Sequence, residues 1–196
     1  MKKLSTFLLL SITLLSLDCF SQIDEAILFF KDGDSIQGYA ELKENRIKFR
    51  ASLDSESDIW TYKMIEKIEF EGVYGVKTFE YIPLQKGMKP VLLELVVEGE
   101  VSLYKQTVNW WTGDMTSQEF PLRALQKETS RDYYFKRKND AYPYRVHSEI
   151  FNAWKKRTIE FFKDCPELVK RVRSHEFDDA EFRDIVYYYN DYCAEF

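Results

Sequence analysis

The 196-residue chain carries 28 basic and 33 acidic side chains, a formal charge of −5. It repels nucleic-acid phosphates as a whole, which disfavours a nucleic-acid partner. Hydrophobic residues make up 45%, enough for a packed core, which excludes a disordered chain. Aromatic residues at 16% suggest large side chains packed across β-structure.

Met1 to Ser21 reads as a removed export signal. Lys2 and Lys3 form a basic start, and Phe7 to Leu17 is an apolar run broken only by Ser11, Thr13 and Ser16. Cys19-Phe20-Ser21 then offers small residues at the two positions a signal peptidase reads. Eleven residues are too few to span a bilayer, which needs about 20. Lipid attachment at Cys19 is disfavoured by Ser16 and Asp18, where a lipoprotein signal wants an aliphatic and a small residue. Cleavage after Ser21 leaves 175 of the 196 residues and removes two basic and one acidic side chain, so the charge goes from −5 to −6. No later stretch is long and apolar enough for a transmembrane helix. The expected location is the periplasm, the cell surface or the medium.

The mature chain divides into a β-rich region over 22–140 and a helical region over 141–196, expected to form one cooperative unit. Ile27 to Phe30 predicts a strand, and Asp32-Gly33 a hairpin turn. Ser35 to Leu42 alternates, with Gly38 marking a bulge or a close backbone approach. Lys43-Glu44-Asn45 predicts a turn, and Arg46 to Arg50 the next strand. A polar loop over Leu53 to Asp58 precedes short strands at Ile59 to Tyr62 and Lys67 to Phe70. Lys77 to Leu84 is extended up to Pro83. Val91 to Val97 is apolar apart from Glu94 and reads as a central strand. Val101 to Val108 and Asp132 to Lys136 complete the set. The segment from Val108 to Arg131, with Trp110-Trp111, has no clear period and reads mainly as a long loop. Short strands at this spacing point to an antiparallel meander, a curved sheet or a small barrel.

After Tyr142-Pro143 the period turns helical. Ile150, Trp154, Thr158 and Phe161 recur at helical spacing, with Phe151 and Phe162 beside them. Asp164 reads as the N-cap of a second helix with Pro166 in its first turn, and Leu168, Val169 and Val172 as its buried side. Asp178 and Glu181 have capping-box spacing for a third helix. Its apolar face runs through Phe182, Ile185, Val186, Tyr189, Tyr192 and Cys193. The fold class is α+β: a mostly antiparallel sheet with a three-helix C-terminal region packed on it.

Removal of the signal leaves two cysteines, Cys165 and Cys193, in an oxidising compartment. Two short antiparallel helices bring them within reach of a disulfide. A reactive thiol at the helix start is the weaker reading, because no Cys-x-x-Cys and no base accompanies Cys165. His147 and His175 lie in no zinc or triad motif and read as exposed helix-boundary residues. No Gly-rich phosphate loop occurs, and no cofactor or metal site is indicated. Glu94 and Glu98 share a strand face, a weak candidate pair for glycoside chemistry, with Glu94 expected toward solvent. Adjacent strand residues point to opposite faces, so one of Trp110 and Trp111 is a candidate for ligand contact. Lys155-Lys156-Arg157 reads as a solvated helix face.

Phe29-Phe30-Lys31-Asp32-Gly33 with Gly38-Tyr39, Ile68-Glu69-Phe70 and Val101-Ser102-Leu103-Tyr104 form a recognisable set. Phe162-Lys163-Asp164-Cys165-Pro166-Glu167-Leu168 belongs with it, as do Ile185-Val186, Tyr189-Asn190, Cys193 and the signal end Phe20-Ser21-Gln22. Together they resemble a family of uncharacterised exported proteins of Gram-negative bacteria. The match is poorest from Trp110 to Thr129. The resemblance implies a β-rich body, a helical C-terminus and paired cysteines, and carries no activity. Three functional readings follow. The first is a non-catalytic binding or structural protein of the cell envelope, with a protein or glycan partner. The second is an enzyme acting on glycans or peptidoglycan through carboxylates. The third is a ligand-binding module using Trp110 or Trp111.

Overall fold

The computed structural model describes residues 23–72, 75–112, 126–147, 153–177 and 182–194, the side chains of 108–112, 126–129 and 147 excepted. Met1 to Ser21, Asp178 and Glu181 lie outside the described residues, as do Ile150 and Phe151. Among the described residues ten strands form one antiparallel sheet, and three helices follow, an α+β architecture. The strands are β1 (Asp24–Phe30), β2 (Ser35–Lys43), β3 (Arg46–Arg50), β4 (Asp58–Trp60) and β5 (Ile65–Gly72). Then come β6 (Gly75–Ile82), β7 (Val91–Val97), β8 (Val101–Thr112), β9 (Gln126–Arg137) and β10 (Tyr144–His147). The helices are α1 (Trp154–Phe161), α2 (Pro166–Arg173) and α3 (Phe182–Tyr192). No described helix is long and apolar enough to cross a membrane.

The spatial order is β10-β9-β8-β7-β6-β5-β1-β2-β3-β4. Two meanders are thus joined side by side, with β1 between β2 and β5. The first hairpin turns at Gly33, whose φ of +96° favours glycine, and Asp34 N–H donates to Asp32 Oδ1 at 3.2 Å. Gly38 meets the expected close approach. A Cβ there would lie 2.4 Å from the Arg50 carbonyl oxygen and 2.5 Å from Phe49 Cζ, so only glycine lets the Phe49 ring lie across β2.

The sheet curls so that the β2–β3 turn reaches β7. Asn45 Nδ2 donates to the Pro90 carbonyl at 2.8 Å, and Asn45 Oδ1 accepts from Leu92 N–H at 2.7 Å. Tyr81 Oη donates to the Asn45 carbonyl at 3.1 Å. This curl encloses a first core of Leu28, Ile47, Ile65 and Ile68, none with any exposure, with Phe49, Phe70 and Tyr81 around them. A second core forms where the helices cover β7 to β10. Phe135 packs there against Phe162 at 4.9 Å between ring centroids and Phe182 at 6.1 Å, with Leu103, Val146, Leu168 and Ile185 fully buried or nearly so. Alternation along the strands sends Leu93, Tyr104 and Tyr134 to the opposite face, where they pack with Ile82.

Several expectations are corrected. Both described ends of the segment read mainly as loop are strand: β8 runs to Thr112 and β9 starts at Gln126, in register through Thr112↔Gln126, while 113–125 lie outside the described residues. The sheet continues through β10, so His147 sits at a strand end rather than a helix boundary. α2 is capped by Cys165, with Pro166 in its first turn and no side-chain cap. The Asp164 carboxylate is occupied elsewhere. It accepts from Arg137 Nη2 at 2.8 Å and from Tyr189 Oη at 2.6 Å. Tyr192 does not join the buried face of α3 and is 75% exposed.

Candidate functional site

Antiparallel partners directly opposite one another share a face of the sheet. One such row crosses seven strands: Ile36, Leu28, Ile68, Phe79, Glu94, Lys105 and Tyr133. Its members are apolar or aromatic except for the fifth and sixth, Glu94 and Lys105. Glu94 Oε2 and Lys105 Nζ stand 2.6 Å apart, with about a fifth and a quarter of each side chain exposed. The row faces the side that carries both cores, so the pair sits between them. Glu94 therefore does not face open solvent, contrary to the sequence expectation. Glu98 lies beyond the end of β7, after the register shift between Leu95 and Val97, and does not share its face.

The ion pair forms the floor between two recesses. One, of ≈ 410 Å³, has the β2–β3 turn as its wall, with Leu42, Glu44 and Asn45 facing Phe79, Leu92 and Thr107. The other, of ≈ 340 Å³, is bounded by the first turn of α3, with Phe182, Arg183 and Asp184 over Val96, Leu103 and Tyr133. Glu94 and Lys105 line both. The local sequence explains the walls. The two-pronged Asn45 amide pins one wall to β7, and Phe182 is anchored in the second core against Trp154, edge to face at 5.7 Å. A lysine ammonium has three donors and a carboxylate several acceptor positions, so each group keeps capacity after pairing with the other. The groove thus has mixed walls, with Leu42, Phe79, Leu92, Val96 and Leu103 beside Glu44, Arg183 and Asp184, and an ion pair on its floor.

Cys165 and Cys193 form a disulfide with Cα atoms 5.8 Å apart, joining the start of α2 to the end of α3. It is distant in role from the groove: Cys165 is buried in the second core. Nearby, Arg137 Nη1 donates to Tyr189 Oη at 2.5 Å, and Nη2 donates to the Phe161 carbonyl at 3.1 Å. Arg137, Asp164 and Tyr189 form a closed cluster binding β9 to the helices. Burial alone would raise the Asp164 pKa, but the hydrogen bonds from Tyr189 and Arg137 outweigh it and hold the carboxyl below its ordinary value. An acid catalyst needs the opposite displacement.

The other sequence candidates are not brought together. Trp110 and Trp111 lie in β8 with backbones paired to Glu128 and Lys127, and their side chains lie outside what the structure describes. His175 is exposed just after α2, and its Nδ1 contacts Lys155 Nζ. Among the described residues no group of three or more His, Cys, Asp or Glu side chains could hold a metal. Lys105 is the functional candidate that sequence reasoning missed. The available signal was Glu94, the single charge in an apolar strand. No family model, curated protein or solved structure matches the chain.

Proposed function

We propose that this chain is an exported protein of the cell envelope that acts by binding rather than by catalysis, and that the groove over Glu94 and Lys105 is its binding surface. The observation that carries this is the ion pair set within an otherwise apolar row. A partly buried pair contributes little net stability, and apolar side chains of similar size would fill the same positions. Departures from the local pattern of this kind concentrate at functional sites. The Cys165–Cys193 disulfide supports an oxidising compartment. The partner is an envelope protein or glycan.

A photoreactive amino acid at Thr107 in the groove, compared with one at the exposed Val76 of β6, tests this in living cells. A discrete adduct at Thr107, absent at Val76 and lost with Glu94→Met/Lys105→Met, is expected. No adduct, or equal adducts at both places, contradicts the reading. Saturable turnover of an envelope substrate, abolished by one point substitution, would favour the carboxylate enzyme instead.

One observation keeps the tryptophan reading in play. β8 and β9 stay paired to Thr112 and Gln126, well past the segments that pair with β7 and β10. Trp110 and Trp111 belong to this two-stranded extension. Unchanged binding in Trp110→Ala/Trp111→Ala removes that reading.

A further inference from the structure

We propose that the cleft between α1 and α2 docks the anionic headgroups of a lipid bilayer. The cleft has a volume of ≈ 350 Å³, an apolar floor of Ile159, Pro166 and Val169, and a rim of Lys163, Lys170 and Arg173. Among the described residues no carboxylate lines it. The rim cations are exposed, while Ile159 and Val169 are half-buried.

Its origin lies in how the helices pack. α1 turns Trp154 and Thr158 toward the second core, and α2 turns Leu168 and Val172. Ile159 and Val169 are left at the outer margin of those stripes. Charge is distributed unevenly as well. Residues 153–177 hold seven cationic and four acidic side chains, inside a chain whose overall charge is −5. Arg171 is engaged by Glu167 and Glu176, and Lys163 lies 3.3 Å from Glu160. Among the described residues, Lys170 and Arg173 have no ion-pair partner. The dipole of α2 favours cations in its last turn. It does not account for the apolar floor, nor for Lys163, which reaches the rim from the α1–α2 connection.

The matching ligand is anionic at one end and hydrocarbon at the other. A phospholipid headgroup sets its phosphate among the cations and its upper methylenes on the floor. An acidic peptide matches only the rim. Docking of this kind is reversible and needs no membrane-spanning segment.

The test is sedimentation of the full mature chain with phosphatidylglycerol vesicles and with phosphatidylcholine vesicles, at low and at high salt. Binding to phosphatidylglycerol alone, weakened by salt, is expected. Lys170→Gln/Arg173→Gln should lower that partitioning about thirtyfold, at about 1 kcal/mol for each removed charge. Lys77→Gln/Lys86→Gln, which removes the same charge from exposed positions on β6 and the following loop, should leave it unchanged. Equal binding to both vesicle types, no binding, or equal loss in both variants overturns the proposal. So does displacement by polyglutamate at unchanged salt, which assigns the cleft to an acidic peptide.

Discussion

Asn190 on α3 grips Val101 on β8 at both ends of one residue: Asn190 Oδ1 accepts from Val101 N–H at 2.9 Å, and Nδ2 donates to the Val101 carbonyl at 2.9 Å. The amide thus stands where a ladder partner from β7 would stand. The space exists because residue 99 is glycine, whose Cβ would fall 2.2 Å from Asn190 Nδ2. Asn190→Ala leaves a part-buried N–H and C=O unpaired, and should cost about 1–3 kcal/mol in denaturant unfolding. Gly99→Ala should destabilise by expelling the same amide. The double variant should therefore lose less than the sum, since both act on one contact.

The groove pair separates function from stability. Glu94→Met/Lys105→Met should leave stability within about 1 kcal/mol of the parent, or raise it, because both desolvation costs disappear together. Lys105→Met alone should be worse than the double variant, since it leaves the Glu94 carboxylate unpaired. Chemical denaturation of the three proteins checks the order.

The disulfide closes a separation of 28 residues. In the chain-entropy account its loss costs roughly 3.5 kcal/mol. Denaturant midpoints with and without reductant should differ accordingly, and Cys165→Ala/Cys193→Ala should show no further effect of reductant.

The Arg137–Asp164–Tyr189 cluster gives an acid dependence. The Asp164 carboxyl is held below its ordinary value of 3.8. Its contribution is therefore present above that value and is lost as pH falls below 3.8 toward the folded-state pKa. Nearly half of the Asp164 side chain is exposed, so the contribution is modest. Tyr189→Phe removes one of the two donors, and its stability should fall less steeply over that acid window than the parent's. An identical slope in both proteins would count against the cluster as the source.

Alkaline behaviour should follow the buried tyrosines, Tyr81 among them. Burial pushes the Tyr81 phenol up to about 12. Stability tied to this raised group is complete below its ordinary value of 10.0 and is lost as pH rises through about 12. Burial also raises Tyr104, Tyr134 and Tyr189, so phenolate absorbance should show several late-titrating groups, and Tyr81→Phe should reduce that late component by one phenol.

Much of the fold was legible because the strands announce themselves locally. Arg46 to Arg50 and Val91 to Val97 match β3 and β7 at both ends. The misses have tertiary causes. Gln126 to Ser130 is wholly polar, so its pairing with β8 rests on backbone contacts that leave no alternation in the sequence. β10 is four residues long and follows Pro143, too short to show a period. Asp164 has the look of a cap, but Arg137, 27 residues away, claims its carboxylate. The groove was half visible. Glu94 broke an apolar run, yet its partner depended on the β7–β8 register, which a bulge shifts between Leu95 and Val97.

Export is the claim on which compartment and envelope binding both rest, and intact mass of the protein from its own cells tests it most directly. The expected mass begins at Gln22, carries no lipid, and gains two alkyl groups only after reduction. A mass that retains Met1 to Ser21, or two cysteines alkylated without reductant, would contradict it.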